Sequence, residues 1–147
     1  DAVIFGILWG IFGALLLLFD TNIANITLAM VLAFFVRMRL DYFNHVLASA
    51  LIIITFLLTS EFITGTFFFF FMPLTIFGSL RDYIGDKRKK KDLLYRINEP
   101  QWEYILLTLI FGLITVQWLP LLIFGVYTLA YDITKYSLHR RRIYKKL

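Results

Sequence analysis

The 147 residues include no cysteine, are 60% apolar and 18% aromatic, and hold 15 Lys and Arg against 10 Asp and Glu, a formal charge of +5. Water-soluble domains are typically about 45–50% apolar, so the surplus asks for lipid as solvent, and the basic excess reads as orientation in a bilayer rather than as nucleic-acid binding. The missing thiols exclude disulfide frameworks, thiolate zinc sites and thiol catalysis, and two imidazoles, His45 and His139, leave little for a histidine-rich metal centre.

A bilayer core about 30 Å thick takes roughly 20 apolar residues per helix. The first apolar run, Val3 to Phe19, ends at Asp20, Thr21, Asn22 and Asn25. The chain opens at Asp1, almost directly inside this run, with neither an initiator Met nor a cleavable signal pattern, which points to a piece of a longer protein. The second run, Ile26 to Val36, approaches spanning length when counted from Asn22 with Arg37 and Arg39 snorkelling to the headgroups. The third, Val46 to Thr59, and the fourth, Phe62 to Leu80, flank a turn at Ser60 and Glu61. Five consecutive phenylalanines, Phe67 to Phe71, read as a surface for lipid contact and core packing.

A polar stretch from Arg81 to Gln101 follows, and then an uncharged stretch from Tyr104 to Tyr131. As one span it would put the basic tail (Arg140, Arg141, Arg142, Lys145, Lys146) opposite Lys87 to Lys91. A turn at Gln117, Trp118, Leu119 and Pro120 keeps both basic segments on one side and uses Pro120 where a helix start tolerates it. All Lys and Arg then share a face, in the segments 37–39, 81–96 and 135–146, and the three opposite turns carry Asp20, Glu61 and no basic residue. The expectation is an all-α polytopic membrane protein: a single domain over residues 1–147, six transmembrane helices as three hairpins, both termini cytoplasmic, and a cytoplasmic loop over 81–101. Each hairpin ends on an adjacent Asp and Tyr (Asp41 with Tyr42, Asp82 with Tyr83, Tyr131 with Asp132), an echo that chance and interfacial tyrosine anchoring also explain.

The segment Gly78 to Lys91 holds the chemistry. Asp82 and Asp86 are four apart, so a helical extension of the fourth span stacks their carboxylates on one face, amid Arg81, Lys87, Arg88, Lys89, Lys90 and Lys91. Two carboxylates suit Mg2+, which completes its shell with water and phosphate oxygens, and cations beside them suit a diphosphate. Basic loops beside spans also serve as topology determinants and anionic-lipid contacts.

Arg81-Asp82-Tyr83-Ile84-Gly85-Asp86-Lys87 resembles the second aspartate-rich motif, D-x-x-G-D-K, of the UbiA superfamily of intramembrane prenyltransferases, in which it closes a helix at the cytoplasmic face. The resemblance implies a transferase of isoprenoid-lipid biosynthesis that moves a prenyl group from a prenyl diphosphate to an acceptor with Mg2+. Asp82 and Asp86 would be metal ligands, Lys87, Arg81 and Lys91 diphosphate contacts, and Asp82, Asp86 and Lys87 the catalytic set. Tyr42, Phe43 and Tyr83 could shield an allylic cation. The family's first motif, N-D-x-x-D, has its nearest counterpart in Asp41-Tyr42-Phe43-Asn44, making Asp41 and Asn44 secondary candidates. The family commonly has nine spans, so six correspond to its later part or to a reduced relative.

The other reading is a non-catalytic membrane scaffold or assembly subunit with a basic face for anionic lipid. A small transporter would need a polar lining at mid-depth, where the spans offer only threonines. His45 reads as an interfacial hydrogen-bonder, Glu61 as an exposed turn residue, and Trp9, Trp102 and Trp118 as span or interface anchors.

Overall fold

The computed structural model describes residues 2–40, 42–87, 93 and 101–144, with side chains over 3–40, 42–84, 93 and 101–133. Among the described residues there are six helices and no strand: α1 (Ala2–Leu17), α2 (Thr21–Val36), α3 (Phe43–Thr59), α4 (Thr64–Lys87), α5 (Trp102–Thr115) and α6 (Leu119–Tyr144). Each of the expected apolar runs is a helix. One of them, over Thr64–Ile84, is long and apolar enough to cross a membrane; the other apolar stretches are of 17 residues or fewer. The chain divides into two compact units, Asp1–Leu80 and Arg81–Leu147.

In the first unit α1 lies along α3. Gly6, Gly10 and Gly13 recur at helical spacing on one face of α1, and an absent Cβ is what lets the two backbones close. A Cβ on Gly6 would stand 2.8 Å from Asn44 Cα and 2.9 Å from Asn44 O; on Gly10 it would meet Leu51 Cδ1 at 2.5 Å. Beside this contact runs an apolar groove of about 300 Å³, lined by Gly10, Ile11, Ala14, Leu15, Leu18, Leu51 and Thr55.

α2 is the buried helix of this unit, hiding Ile23, Ala24, Asn25, Ile26, Thr27, Leu28, Ala29, Val31 and Ala33. A helix apolar on every side is a helix surrounded. Asp20 caps it: its carboxylate accepts from Asn22 N–H at 2.8 Å and Ile23 N–H at 3.0 Å, satisfying donors that no intrahelical carbonyl reaches. One turn on, fully buried Asn25 donates through Nδ2 to Thr21 O and Glu61 O, both at 2.8 Å, and accepts at Oδ1 from Ile63 N–H at 2.9 Å. Thr66 Oγ1 donates to Asn22 Oδ1 at 2.8 Å. These bonds pin the α3–α4 turn to the head of α2.

α4 starts in the phenylalanine run. Phe67 and Phe70 are buried while Phe68 faces outward, and Phe67 stacks on Phe71 with centroids 5.2 Å apart, so the five rings divide between core and surface as expected. Pro73 lies inside this helix and contributes no N–H to its ladder. Half-buried Arg37, just after α2, lays its guanidinium where a Cβ on Gly78 of α4 would sit and stands 5.4 Å from the Phe34 ring.

The second unit is built on the antiparallel pair α5 and α6. The uncharged stretch breaks at residues 116–118, where the turn and Pro120 were expected to divide it. Val116 ends α5 in the left-handed region at φ 60°, donating to Gly112 O at 2.8 Å. Trp118 folds back so that its Cε3 stands 2.9 Å from where a Cβ on Gly112 would be, closing the hairpin. At the other end Tyr104 stacks on Phe124 (6.4 Å between centroids) and meets Tyr127 edge-on at 6.2 Å, which sets the register.

Candidate functional site

The motif Arg81 to Lys87 occupies the last two turns of α4, which runs on without a break from the apolar Thr64–Ile84 stretch. Nothing between Leu80 and Lys87 stops a helix except Gly85, which a helix tolerates, so seven residues of the stretch read as loop 81–101 are helical. The spacing of Asp82 and Asp86 is therefore a true helical i, i+4 spacing, with the two positions a turn apart on the same face of the helix. Asp82 is half-buried and Tyr83 exposed. The side chains of Asp86 and Lys87 lie outside the described residues, as do Lys91 and Asp41.

Arg81 is held by a partner that the sequence reading did not single out. Its Nη1 donates to Glu103 Oε1 at 2.5 Å, with the Arg81 side chain 17% exposed and that of Glu103 5%. Glu103 sits in the first turn of α5, where the positive end of the helix dipole favours an acid. A carboxylate so deeply withdrawn from water needs a cation and hydrogen bonds, and Arg81 supplies both. A lone acid opening a long uncharged stretch was the available signal, since such a residue must find a basic partner elsewhere in the chain.

The second unit holds further buried polar groups. Gln101 occupies the N-cap position of α5 without a side-chain capping bond and is buried; its Oε1 and Thr128 Oγ1 are buried without a hydrogen-bond partner among the described residues. The Tyr104 register places Thr128 of α6 opposite the head of α5. Thr108, also buried, spends its hydroxyl on Tyr104 O at 2.7 Å within its own helix.

The secondary candidates fall in the first unit. Asn44 is half-buried in the first turn of α3, its backbone against Gly6 of α1. Tyr42 and Phe43 are exposed, and Tyr42 meets His45 edge-on with centroids 5.5 Å apart. Glu61 is exposed in the α3–α4 turn, where its carbonyl serves Asn25.

Asp82 and Asp86 fit a Mg2+ site by donor chemistry. No cluster of three or more His, Cys, Asp or Glu occurs among the described residues, and residues 82 and 86 fall on successive turns of one helix. Magnesium takes one or two carboxylates and fills its remaining positions with water and phosphate oxygen, a demand that an aspartate pair of this spacing would meet.

Comparison with known protein families, with characterised proteins and with solved structures finds no match to this chain.

Proposed function

We propose that the chain is a UbiA-like intramembrane prenyltransferase, or the later part of one, transferring a prenyl group from a prenyl diphosphate to an acceptor with Mg2+. The observation that carries the reading is α4: one unbroken helix whose apolar length ends in the turn bearing Asp82 and Asp86. That arrangement suits a substrate with an oily tail and an anionic head, the tail beside apolar helix and the head at its polar end.

In this reading the six helices cross the bilayer as three hairpins, with the basic segments and both termini on the cytoplasmic side. Exposure supports lipid as solvent: α1 presents Ile4, Phe5, Leu8, Trp9, Phe12 and Leu15 outward, a face that water would penalise. Helices of 14 to 17 residues are about 21–26 Å long and would be met by local thinning and snorkelling of flanking residues.

The reaction is a substitution at an allylic carbon. The C–O bond to the diphosphate breaks, its electron pair leaves with the diphosphate, the acceptor bonds to the carbon and then loses a proton. Asp82 and Asp86 would hold magnesium, whose charge offsets that of the diphosphate. Arg81 and Lys87 would bind the diphosphate oxygens, and Tyr83, exposed near the same end of the helix, would face a cationic prenyl carbon.

The test is prenyl transfer by the complete protein in membranes, with a series of prenyl diphosphates. Asp82→Ala with Asp86→Ala is expected to remove magnesium-dependent transfer altogether, and unchanged turnover would sink the assignment. A second reading, a membrane scaffold, draws on the Arg81–Glu103 pair, which already satisfies one of the expected diphosphate contacts internally. A scaffold would tolerate Asn at both aspartates, whereas a metal site would lose magnesium and diphosphate binding.

A further inference from the structure

We propose that Glu103 is a positioning residue for diphosphate binding, acting through Arg81; the inference rests on the prenyltransferase reading above. The two belong to one compact unit but to different helices, 22 residues apart. Arg81 closes the apolar length of α4 immediately before Asp82, and Glu103 opens α5. An arginine on a free four-bond stem samples many rotamers, and the entropy of fixing it counts against every hydrogen bond it makes to a ligand. Here one nitrogen, Nη1, is tied to Glu103 Oε1, so the rest of the planar guanidinium fork is held in one orientation before ligand arrives.

Stability alone is a poor reason for the pair. A buried ion pair is commonly no better than apolar side chains of equal volume, because the desolvation of both charges offsets their attraction. Nor is the charge of Glu103 useful to an anion: a carboxylate beside the guanidinium weakens the field that draws diphosphate. What Glu103 contributes is direction, and that separates its role from a merely electrostatic one by the sign of the effect. Removing a negative charge should tighten diphosphate binding if field alone matters; removing an anchor should weaken it.

The experiment is calorimetric titration of inorganic diphosphate with Mg2+ into the full chain in detergent micelles. Glu103→Ala is expected to bind about tenfold more weakly than the native chain, the loss of about one charge-assisted hydrogen bond. Glu103→Gln keeps an acceptor at the same reach and is expected to stay within about threefold of native. In an Arg81→Ala background, Glu103→Ala should add nothing. Unchanged or tighter binding by E103A, or a further loss on top of R81A, overturns the proposal. Thermal unfolding of each variant is read alongside, and Glu103→Met, which keeps the buried volume, replaces E103A if that chain does not fold, with the same expected loss. Asp82→Asn with Asp86→Asn is titrated in parallel: native binding there removes the site itself, whereas its loss with E103A unchanged removes only the role of Glu103.

Discussion

Asn25 has no water to turn to. Its amide lies fully buried in α2 and meets Thr21, Glu61 and Ile63 through backbone groups that would otherwise need other partners. A buried amide left unmet costs about 1–3 kcal/mol, so Asn25→Leu, which strands the Ile63 N–H and the Glu61 carbonyl together, should destabilise the chain by about 2–4 kcal/mol. Reversible unfolding in mixed micelles measures this, and a change below about 1 kcal/mol would mean that the two groups find substitutes. The role was not legible in the sequence. Asn22 and Asn25 read there as the polar end of a span, and the partners of Asn25 are main-chain atoms 36 and 38 residues away, which no side-chain pattern marks. Arg81 and Glu103 escaped for a related reason: each is visible alone, but an ion pair across 22 residues is a product of the fold. Asp82 stood out because a partner for it, Asp86, lies four residues away in the same helix.

At the scale of elements the breaks were legible because they are chemical. Asp20 is a good cap, Arg37 and Arg39 end an apolar run, Ser60 and Glu61 interrupt another, and Pro120 suits a first helical turn; the observed helices part at each of these places. The boundaries moved by a few residues, and α4 runs on to Lys87 where polarity suggested loop. Less legible was which helix meets which. Gly6, Gly10 and Gly13 share a face of α1, but only the fold shows that α3 fills it. Gly6→Ala sets a Cβ against the Asn44 backbone, which cannot rotate away, and should cost about 1–3 kcal/mol. Gly125→Ala in α6, with open space around it, should instead stabilise by about 0.5–1 kcal/mol through helix propensity. Thermal unfolding of the two variants side by side reads the contrast, and equal effects would dismiss the close α1–α3 contact.

For the whole molecule, the proposed topology rests on the charge pattern. Every Lys and Arg falls in three segments that the proposed topology gathers on one face, and the chain has no native cysteine to confuse a labelling experiment. Single cysteines at Glu61 and Gln117 should react with an impermeant maleimide from one side of sealed vesicles. Those at Arg39 and Lys90 should react only from the other, or after permeabilisation. Labelling of all four from the same side would reject three hairpins in a bilayer.

The clamp on the head of α2 also sets a timetable. Asn25 is made before its two distant partners, Glu61 O and Ile63 N–H, which come only after α3 is complete. Until the ribosome has added some forty residues more, α2 holds an amide that apolar surroundings reject. The helices α1 to α3 are thus kept from settling into a finished packing, and the arrival of the α3–α4 turn is the event that locks them. A chain halted before Ser60 should therefore be recognised by the cell as incomplete, although three of its helices are already written.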